Sequence, residues 1–505
     1  MPPRRTDNQR ALAEHIADFA RRFPWGRDVL RFFERSEVQI VRVQPDHHGR
    51  WHLYLALPPR HREMFDIELD VLCLVADYDR VEPRVLQEMN DILATNRRAD
   101  LEIAVIITQD STATRLTRKR AGETAYVALT RDEVQTPDFT FREALAQTLL
   151  TVDHFNVTVP ITEPSAFFGR TEDIRELQLA VRAGQHVGVF GLRKAGKSSL
   201  LNQLARVLNA EGYPVARIEL EEFIDSPRHF KATVVDAMAE ALVAAGRPLP
   251  PLRTDRAHPS SVNDYWLSDI ETIVRSTSSA APIVLMCDEI DAALPVRTFR
   301  EVSPDVDLGI LRALTQLRGL FQRMQSLGEN YPVFVAAGVD PAIFARSQVR
   351  EQANPLFQFA RVYFIRPMNR DELADMVRTL GKRTGMKFRD HALIDALLDE
   401  YGGHPLLTRK ACSLVHLSRP EAQVPYSVPM EALQAAFAAE GPDTPHYAAM
   451  GMLEDFVTWF PEEGAALQKA VLQRTTSLSG DRLNHGREYG LLTRDDAIAM
   501  LTLLR

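Results

Sequence analysis

The decapeptide GLRKAGKSSL (191–200) constrains the fold of this chain more than any other stretch. Gly191 is followed, after four residues, by Gly196-Lys197-Ser198, which is the spacing of a phosphate-binding loop. Glycines let the backbone curl until several N–H groups point at one spot, where an anion can bind. In such a loop the lysine faces the β- and γ-phosphates, and the serine offers a hydroxyl to Mg²⁺.

The sequence on either side of the loop predicts a strand before it and a helix after it. The apolar run HVGVF (186–190) has the composition of a buried strand, and SSLLNQLARVL (198–208) carries leucines at helical spacing. A strand, a glycine loop and a helix N-terminus together form an anion site, whereas a surface glycine loop needs neither neighbour. The candidate phosphate-binding residues are Gly191, Lys194, Ala195, Gly196, Lys197, Ser198 and Ser199.

Two acids end the apolar run IVLMCDE (283–289) and supply the second half of a nucleoside triphosphate site. Asp288, at the carboxyl end of the predicted strand, can hold the Mg²⁺ shell near Ser198. Glu289 can orient or deprotonate the attacking water, which makes it a candidate catalytic residue beside the loop lysine. The alternative is that these acids are paired structurally inside the protein. Asp291 either assists them or caps the helix that follows.

A further buried strand is expected at PVFVAAGVD (332–340), beside the strand that carries Asp288. A polar residue at its end can sense the γ-phosphate. Asp340 would do so through water, or it would cap the turn that begins at Pro341. Hydrolysis also requires positive charge at the transferred phosphoryl group. The arginines that could supply this charge, or could instead form surface ion pairs, are Arg346, Arg350, Arg361 and Arg409.

Composition is that of an ordinary globular protein, with 45% apolar and 25% charged residues among 505. No run approaches the roughly 18 apolar residues of a membrane span, and the N-terminus lacks the apolar core of a secretory signal. A net charge of −8 argues against a protein coated in basic residues for bulk nucleic-acid binding. The three widely separated cysteines indicate neither a disulfide framework nor a zinc site, and they fit a reducing cytoplasm.

Helical and extended patterns alternate along the N-terminal part of the chain, which predicts an α/β layer structure there. Around the loop, the order of strands and crossover helices predicts a parallel sheet covered on both faces. From about residue 351 the strand signal fades, and helical patterns follow. The last two helices and a terminal hairpin resemble a winged helix. The predicted units are an N-terminal α/β domain (1–160), a P-loop ATPase core (161–350), a helical lid (351–440) and a winged-helix-like domain (441–505).

Six motifs follow one another in an order that resembles the archaeal-type P-loop ATPases bordering the STAND signalling NTPases and the AAA+ superfamily. The resemblance covers about 165–440 and the winged-helix-like tail. The motifs are FFGRTEDI (167–174), GLRKAGKSSL (191–200), IVLMCDEID (283–291), VAAGVDP (335–341), NPLF (354–357) and GGHPLLTR (402–409).

The resemblance implies roles for residues outside the loop. The base pocket would be lined by Phe168, Gly169 and Arg170. His404 and Pro405, in the turn of the lid, would contact the nucleotide phosphates. The alternative for His404 is a helix-terminal residue without nucleotide contact. Arg409 stands where a lid arginine could reach the γ-phosphate and act in catalysis.

The function that the resemblance implies is a switch. ATP and Mg²⁺, bound between core and lid, would hold one domain arrangement, and hydrolysis would release it. Such proteins serve microbial signalling or defence against phage, through a protein partner or through self-assembly. One alternative is a DNA-binding ATPase of replication or transposition, with Arg482, His485 and Arg487 on a recognition helix. Another is a scaffold that retains ATP or ADP without hydrolysing it.

Residues 1–160 allow two interpretations. Glu68 and Asp70, together with the helix and strands that follow, are faintly similar to nuclease-like α/β folds. A metal-dependent nuclease needs acids with a nearby lysine, and FDIELDVLCLVA (65–76) contains no lysine. A sensor or docking domain, or an inactive nuclease relative, is therefore the favoured interpretation.

Overall fold

In the computed structural model, the described residues form two five-stranded sheets and several groups of helices. The described ranges are 5–46, 49–65, 67–96, 98–113, 124–151, 153–223, 226–277, 281–293, 309–349, 352–420, 426–472 and 484–491.

The first sheet lies in the N-terminal part of the chain. Its strands are β1 (Gln39–Pro45), β2 (Trp51–Ala56), β3 (Asp70–Val75), β4 (Ala99–Thr108) and β5 (Ala125–Thr130). They are paired in chain order, antiparallel from β1 to β3 and parallel from β3 to β5. The helices around them are α1 (Arg5–Arg22), α2 (Gly26–Arg35), α3 (Pro59–Phe65), α4 (Pro83–Thr95), α5 (Arg131–Gln135) and α6 (Phe141–Thr151).

Both faces of this first sheet are buried, because the side chains of its strands alternate between two apolar layers. Val105 and Ile107 of β4 belong to the layer beneath α1, α2 and α6. Ala104 and Ile106, which alternate with them along the strand, belong to the layer beneath α4. The sheet therefore has its own core, as the alternating pattern of the sequence predicts.

The second sheet carries the glycine loop. Its strands are β6 (Val187–Phe190), β7 (Val215–Glu219), β8 (Val284–Asp288), β9 (Val333–Gly338) and, after the short pair β10 (Gln348–Val349) and β11 (Gln352–Ala353), β12 (Arg361–Phe364). The order is β12-β6-β9-β8-β7, and all pairs are parallel. The predicted parallel sheet is thus confirmed, with the strand of Asp340 beside that of Asp288.

Helices cover both faces of the parallel sheet, which explains the almost continuous apolar runs of its strands. One face packs against α7 (Thr171–Arg182) and α8 (Lys197–Ala210). The other packs against α9 (Pro227–Ala244), α10 (Pro259–Arg275) and α11 (Gly309–Ser326), and a short α12 (Ala342–Ala345) follows β9. The carboxyl ends of all five strands meet at one edge, which is where ligands bind in open α/β sheets.

The sheet extends beyond residue 350, where the sequence predicts the end of the core, because β12 pairs with β6. The helices that follow, which we call the lid, are α13 (Arg370–Arg383), α14 (His391–Tyr401), α15 (Pro405–Ser418) and α16 (Met430–Phe437). A small parallel pair, β13 (Met386–Lys387) and β14 (Tyr426–Ser427), connects their loops. The lid helices share their apolar core with the second sheet.

The C-terminal part contains α17 (Pro445–Trp459), α18 (Pro461–Leu472) and the short α19 (Asn484–Glu488). Residues 473–483 and 492–505, which include the predicted terminal hairpin of the winged helix, lie outside the described residues. None of the helices in the described ranges combines the length and the apolar character that a bilayer crossing requires.

Gly403, in the turn before α15, tests how tightly the lid joins the core. It has φ +78°, and a Cβ there would clash with the carbonyl oxygen of Met368. We expect Gly403→Ala to destabilise the protein by about 2–5 kcal/mol through left-handed strain and overpacking. Gly246→Ala is the matched control, since Gly246 has φ +71° with open space around it and should cost only about 1–2 kcal/mol. Thermal unfolding compares the two, and equal effects would contradict the close approach.

Candidate nucleotide-binding site

The glycine loop lies at the carboxyl end of β6 and leads into α8, whose first residue is Lys197. This lysine is only 5% exposed, and its ammonium group donates hydrogen bonds to the carbonyls of Gly191 and Leu192, each at 3.0 Å. Burial lowers its pKa, while the carboxylates of Glu289 and Asp291 act in the opposite direction. The loop thus encloses a cation at the floor of the site.

The two glycines of the loop are required for different reasons. Gly196 has φ +97°, a conformation that glycine adopts without strain, and a Cβ there would meet nothing within 4 Å. The space above the loop is therefore open to a ligand. Gly191 is packed so closely against Ile365 that a Cβ would collide with it. Lys194 has φ +62° and lies with its side chain exposed at the rim.

The two acids predicted on β8 occupy its carboxyl end. Asp288 is 3% exposed and accepts a hydrogen bond from the N–H of Glu289 at 3.0 Å. Glu289 has φ +51°, which is rare and strained for a residue with a side chain. Its pKa is raised by burial and lowered in part by Lys197. A carboxyl group of raised pKa beside a phosphate loop has the character of a general base.

Asp291 makes a structural contact that the sequence does not suggest. Its carboxylate accepts hydrogen bonds from the N–H groups of Val339 and Asp340, the latter at 2.8 Å, so it fastens the end of β9 to β8. Burial raises its pKa to about 7. Asp340 accepts from the N–H of Ala342 at 2.8 Å, which favours the capping role over sensing of the γ-phosphate through water.

A cavity of about 360 Å³ opens above the loop, within the range of about 300–1,000 Å³ that small-molecule sites occupy. Its floor contains Gly196, Lys197, Ser198 and Ser199, and Lys194 lies at its rim. One wall is formed by Glu221 and Glu289 and another by the lid residues Pro405, Leu406 and Arg409. The remaining wall is Val157–Ile161, part of a segment (153–163) that we call the strap and that joins α6 to the second sheet.

His404 lies beneath the lid turn and has a buried nitrogen that lacks a partner. Its Nδ1 accepts from the N–H of Leu407 at 3.5 Å, so the neutral ring carries its proton on Nε2. Within the described residues, no atom accepts from this Nε2. Burial, with Arg170 and Lys197 nearby, lowers the pKa of His404 to about 3. An unsatisfied donor in a positively charged setting fits an anionic ligand.

Phe168, Gly169 and Arg170 are not among the residues that line this cavity, so their expected place in the base pocket stays a prediction. Gly169 turns the chain at φ +64° against the side chain of Glu372 in the lid. The N–H of Arg170 donates to Glu372 at 3.2 Å, and its guanidinium donates to the carbonyl of Ala195 at 3.4 Å. These contacts of Gly169 and Arg170 brace the loop from its far side, whereas the ring of Phe168 lies 6.0 Å from the guanidinium of Arg409, a residue that lines the cavity.

The candidate arginines occupy different places. Arg409 lines the cavity but donates to the carbonyls of His154 and Ala166, and burial lowers its pKa to about 10. Arg361 is the first residue of β12, so it lies at the amino ends of the parallel strands, away from the cavity, and it pairs with Glu176. Arg346 is exposed after α12, and Arg350 lies outside the described residues.

The structure adds an arginine that the loop pattern could not single out. Arg193, at a variable position of the loop, lines the cavity and lies 3.7 Å from Asp455 of α17. Near the same edge, the hydroxyl of Tyr489 donates to the carbonyl of Val339 at the end of β9. The C-terminal helices therefore contact both the loop and the strand beside it.

The donor set fits Mg²⁺ bound together with a nucleotide. Among the described residues there is no cluster of three or more acids, histidines or cysteines that could hold a metal alone. Mg²⁺ in nucleotide sites is held by one or two side chains, by phosphate oxygens and by water. Ser198 at the start of α8 and Asp288 at the end of β8 are residues of that kind.

Two other sets of predicted residues are not brought together as ligand sites. Glu68 is exposed, and Asp70 lies 3.6 Å from Arg62 at the start of β3. Within the tail, the His485 ring stacks on Phe460 and lies 2.6 Å from Glu463, so it is turned inward rather than towards DNA. Arg482 lies outside the described residues, as does the side chain of Arg487.

A parallel sheet with a glycine loop, a buried lysine and acids on a nearby strand defines a P-loop NTPase. Residues 161–417, about half of the chain, match the family model described as Novel STAND NTPase 1. The chain therefore belongs to this family of NTPases. The resemblance to STAND-related P-loop ATPases is thereby confirmed.

Several solved archaeal structures are similar to the chain, each at low identity. The Walker-type ATPase PABY2304 of Pyrococcus abyssi is 14% identical, with a TM-score of 0.45 over 70% of this chain and 98% of that one. The Aeropyrum pernix ORC1 protein in complex with DNA is 14% identical, with a TM-score of 0.32 over 66% of this chain and 78% of that one. Cdc6p from Pyrobaculum aerophilum is 12% identical, with a TM-score of 0.34 over 67% of this chain and 82% of that one. No curated protein matches the chain.

The raised pKa of Asp291 predicts how stability depends on pH. An unfolded aspartate releases its proton near pH 3.8 and the folded one near 7, so the folded state holds an additional proton between these values. Stability contributed by this group therefore falls as pH rises through that window, by up to about 1.4 kcal/mol per pH unit.

Asp291→Asn should remove that dependence in nucleotide-free, magnesium-free protein, measured by chemical unfolding from pH 4.5 to 7.5. The exposed Asp399 of the lid gives the control, Asp399→Asn, which should leave the slope unchanged. Parallel slopes for wild type and Asp291→Asn would contradict the assigned proton.

Proposed function

We propose that this chain is an ATP-dependent switch that binds Mg²⁺–ATP above the glycine loop and hydrolyses it. The observation that carries the proposal is the buried ammonium group of Lys197 at the floor of an open cavity that has Glu289 in its wall. Such an arrangement places positive charge beneath phosphates and a carboxylate near the terminal phosphoryl group.

Each residue contributes a separate step. The loop N–H groups and Lys197 bind the phosphates, and Ser198 and Asp288 would hold Mg²⁺, which would supply positive charge to offset that of the phosphates. Glu289 orients the attacking water and accepts its proton, for which its raised pKa is suited. The Nε2–H of His404 donates a hydrogen bond to a nucleotide oxygen, which gives this buried donor the partner that it lacks among the described residues.

The base occupies the apolar end of the cavity, between the strap and the lid turn. Val159 and Pro160 form one side, and Pro405 and Leu406 form the other. Apolar side chains on two sides suit a flat aromatic base. Adenine is the base that the resemblance implies.

Domain rearrangement is the output that the contacts support. The salt bridge of Arg193 with Asp455 and the hydrogen bond of Tyr489 to Val339 connect the C-terminal helices to the loop and to β9. A nucleotide that repositions Arg193 would weaken one of these contacts.

A role in microbial signalling or phage defence follows from the resemblance. The three cysteines are buried and unpaired, which supports a cytoplasmic location.

Two substitutions separate binding from hydrolysis. Lys197→Ala should abolish ATP binding, since it removes the charge beneath the phosphates. Glu289→Gln should bind ATP normally and hydrolyse it about 10²–10⁴-fold more slowly. The exposed Glu240 on α9 gives the control, Glu240→Gln, with unchanged turnover. Equilibrium ATP binding and phosphate release are measured for each. Binding that survives Lys197→Ala would refute the site, and full turnover in Glu289→Gln would refute the role of Glu289.

Assembly is tested by the mass in solution with and without Mg²⁺–ATP. We expect Glu289→Gln, which retains ATP, to accumulate the ATP-dependent form, and wild type to return from it as ATP is consumed. An identical mass and hydrodynamic radius in every nucleotide state would contradict the switch. Tight retention without turnover in wild type would instead indicate a scaffold.

A further inference from the structure

The strap connects the first sheet to the nucleotide cavity. It follows α6, which packs against β5 of the first sheet, and its residues 157–161 form one wall of the cavity. Val159, at the middle of that wall, is 70% exposed, so the strap is not buried under other elements there. What holds it are contacts at its two ends.

The C-terminal end of the strap is fastened to α8, the helix that begins with the loop lysine. The N–H of Ile161 donates to Oγ of Ser199 at 2.9 Å. The amide of Asn202 donates to the carbonyl of Ile161 at 3.0 Å, and that of Gln203 donates to Thr162 at 2.9 Å. Because all three anchors lie in the first two turns of α8, this end is fixed to the phosphate site.

The N-terminal end of the strap is fastened to α15 of the lid. The guanidinium of Arg409 donates to the carbonyl of His154 at 3.5 Å and to that of Ala166, just after the strap, at 2.5 Å. One helical turn later, the hydroxyl of Ser413 donates to the carboxylate of Asp153.

A small turn completes this end of the strap. The N–H of Phe155 donates to the Asp153 carboxylate at 2.9 Å, that of Asn156 to the Asp153 carbonyl at 3.3 Å, and that of Val157 to the Phe155 carbonyl at 2.9 Å. The Phe155 ring is buried, with its centroid 6.2 Å from that of Phe388 in the lid. The three amide protons therefore report whether this turn is intact.

The guanidinium of Arg409 can donate hydrogen bonds either to the strap carbonyls or to a ligand in the cavity. It lines the cavity, is only 3% exposed, and donates to neutral carbonyls. A phosphate oxygen is a stronger acceptor than a carbonyl, because a hydrogen bond between charged groups is about twice as strong as a neutral one. A triphosphate in the cavity would therefore draw the guanidinium away from the strap.

We propose that Arg409 exchanges the strap carbonyls for a nucleotide phosphate, so that ATP loosens the lid end of the strap while the α8 end stays fixed. This inference rests on the proposed ATP site, and it describes how ATP bound there would affect the N-terminal α/β unit. The lid end lies directly after α6, so its release passes nucleotide occupancy to the N-terminal α/β unit. Arg409 then acts as a coupling residue that regulates the first unit.

Hydrogen–deuterium exchange of the full chain tests the proposal, with ATP binding measured separately on the same samples. With saturating Mg²⁺–ATP, exchange in 155–157 should rise at least about tenfold, the equivalent of one charge-assisted hydrogen bond. Exchange at Ile161 should stay unchanged. If ATP binds and exchange in 155–157 is unchanged or falls, the coupling is refuted while the proposed function stands.

Variants test the anchors without nucleotide. Arg409→Met keeps the aliphatic stem and should raise exchange in 155–157 before ATP is added, with no further rise afterwards. Arg378→Met, at an exposed arginine of the same lid, is the control. Ser413→Ala should raise the same exchange while leaving ATP affinity unchanged, which covers the case that Arg409→Met does not fold. If wild type binds no ATP, the proposed function fails. If exchange in 155–157 does not rise in Arg409→Met or in Ser413→Ala, these two residues do not anchor the strap and the coupling is refuted.

Discussion

A buried cation enclosed by its own loop is the constraint on which the rest of the site depends. The ammonium group of Lys197 donates to two loop carbonyls and is almost sealed from water. Burial alone would favour its neutral form, and the carboxylates at the end of β8 oppose that effect. The positions of β6 and β8 in one parallel sheet are therefore what keep a positive charge beneath the cavity.

Three parts of the chain meet around the loop that encloses this charge, and each makes a different contact. The strap closes one side, and the lid contributes its apolar turn and Arg409. The C-terminal helices reach the loop through Asp455. A ligand in the cavity would touch the strap, the lid and the loop, which are joined by polar contacts and by the apolar core that the lid shares with the second sheet. This arrangement is the basis of the proposal that one site serves both chemistry and domain rearrangement.

The sequence predicts the parts of the site whose geometry is local. The loop lysine, Ser198 and the acids of β8 lie within short motifs, and the strands that carry them have clear apolar runs. What it misses depends on distant packing. β12 is only four residues long, and although its Val-Tyr-Phe composition favours a strand, nothing in this short run shows that it pairs with β6. The strap wall and the pair of Arg193 with Asp455 join positions far apart in sequence.

The residues of the FFGRTEDI motif (167–174) show the same limit. Gly169 and Arg170 take left-handed turns that direct them against Glu372 of the lid and the back of the loop, while the ring of Phe168 lies 6.0 Å from the guanidinium of Arg409. Asp291 lies two residues after Glu289, and its contact with the end of β9 joins positions far apart in sequence. A motif fixes which residues lie near a site, whereas the backbone turn decides which of them face it.

The most direct measurement is an experimental structure of this chain with Mg²⁺ and a non-hydrolysable ATP analogue. The account predicts phosphate oxygens within hydrogen-bonding distance of the loop N–H groups and of Lys197, with the metal bound by Ser198 and near Asp288. A nucleotide bound elsewhere, or a metal remote from Ser198 and Asp288, would contradict it.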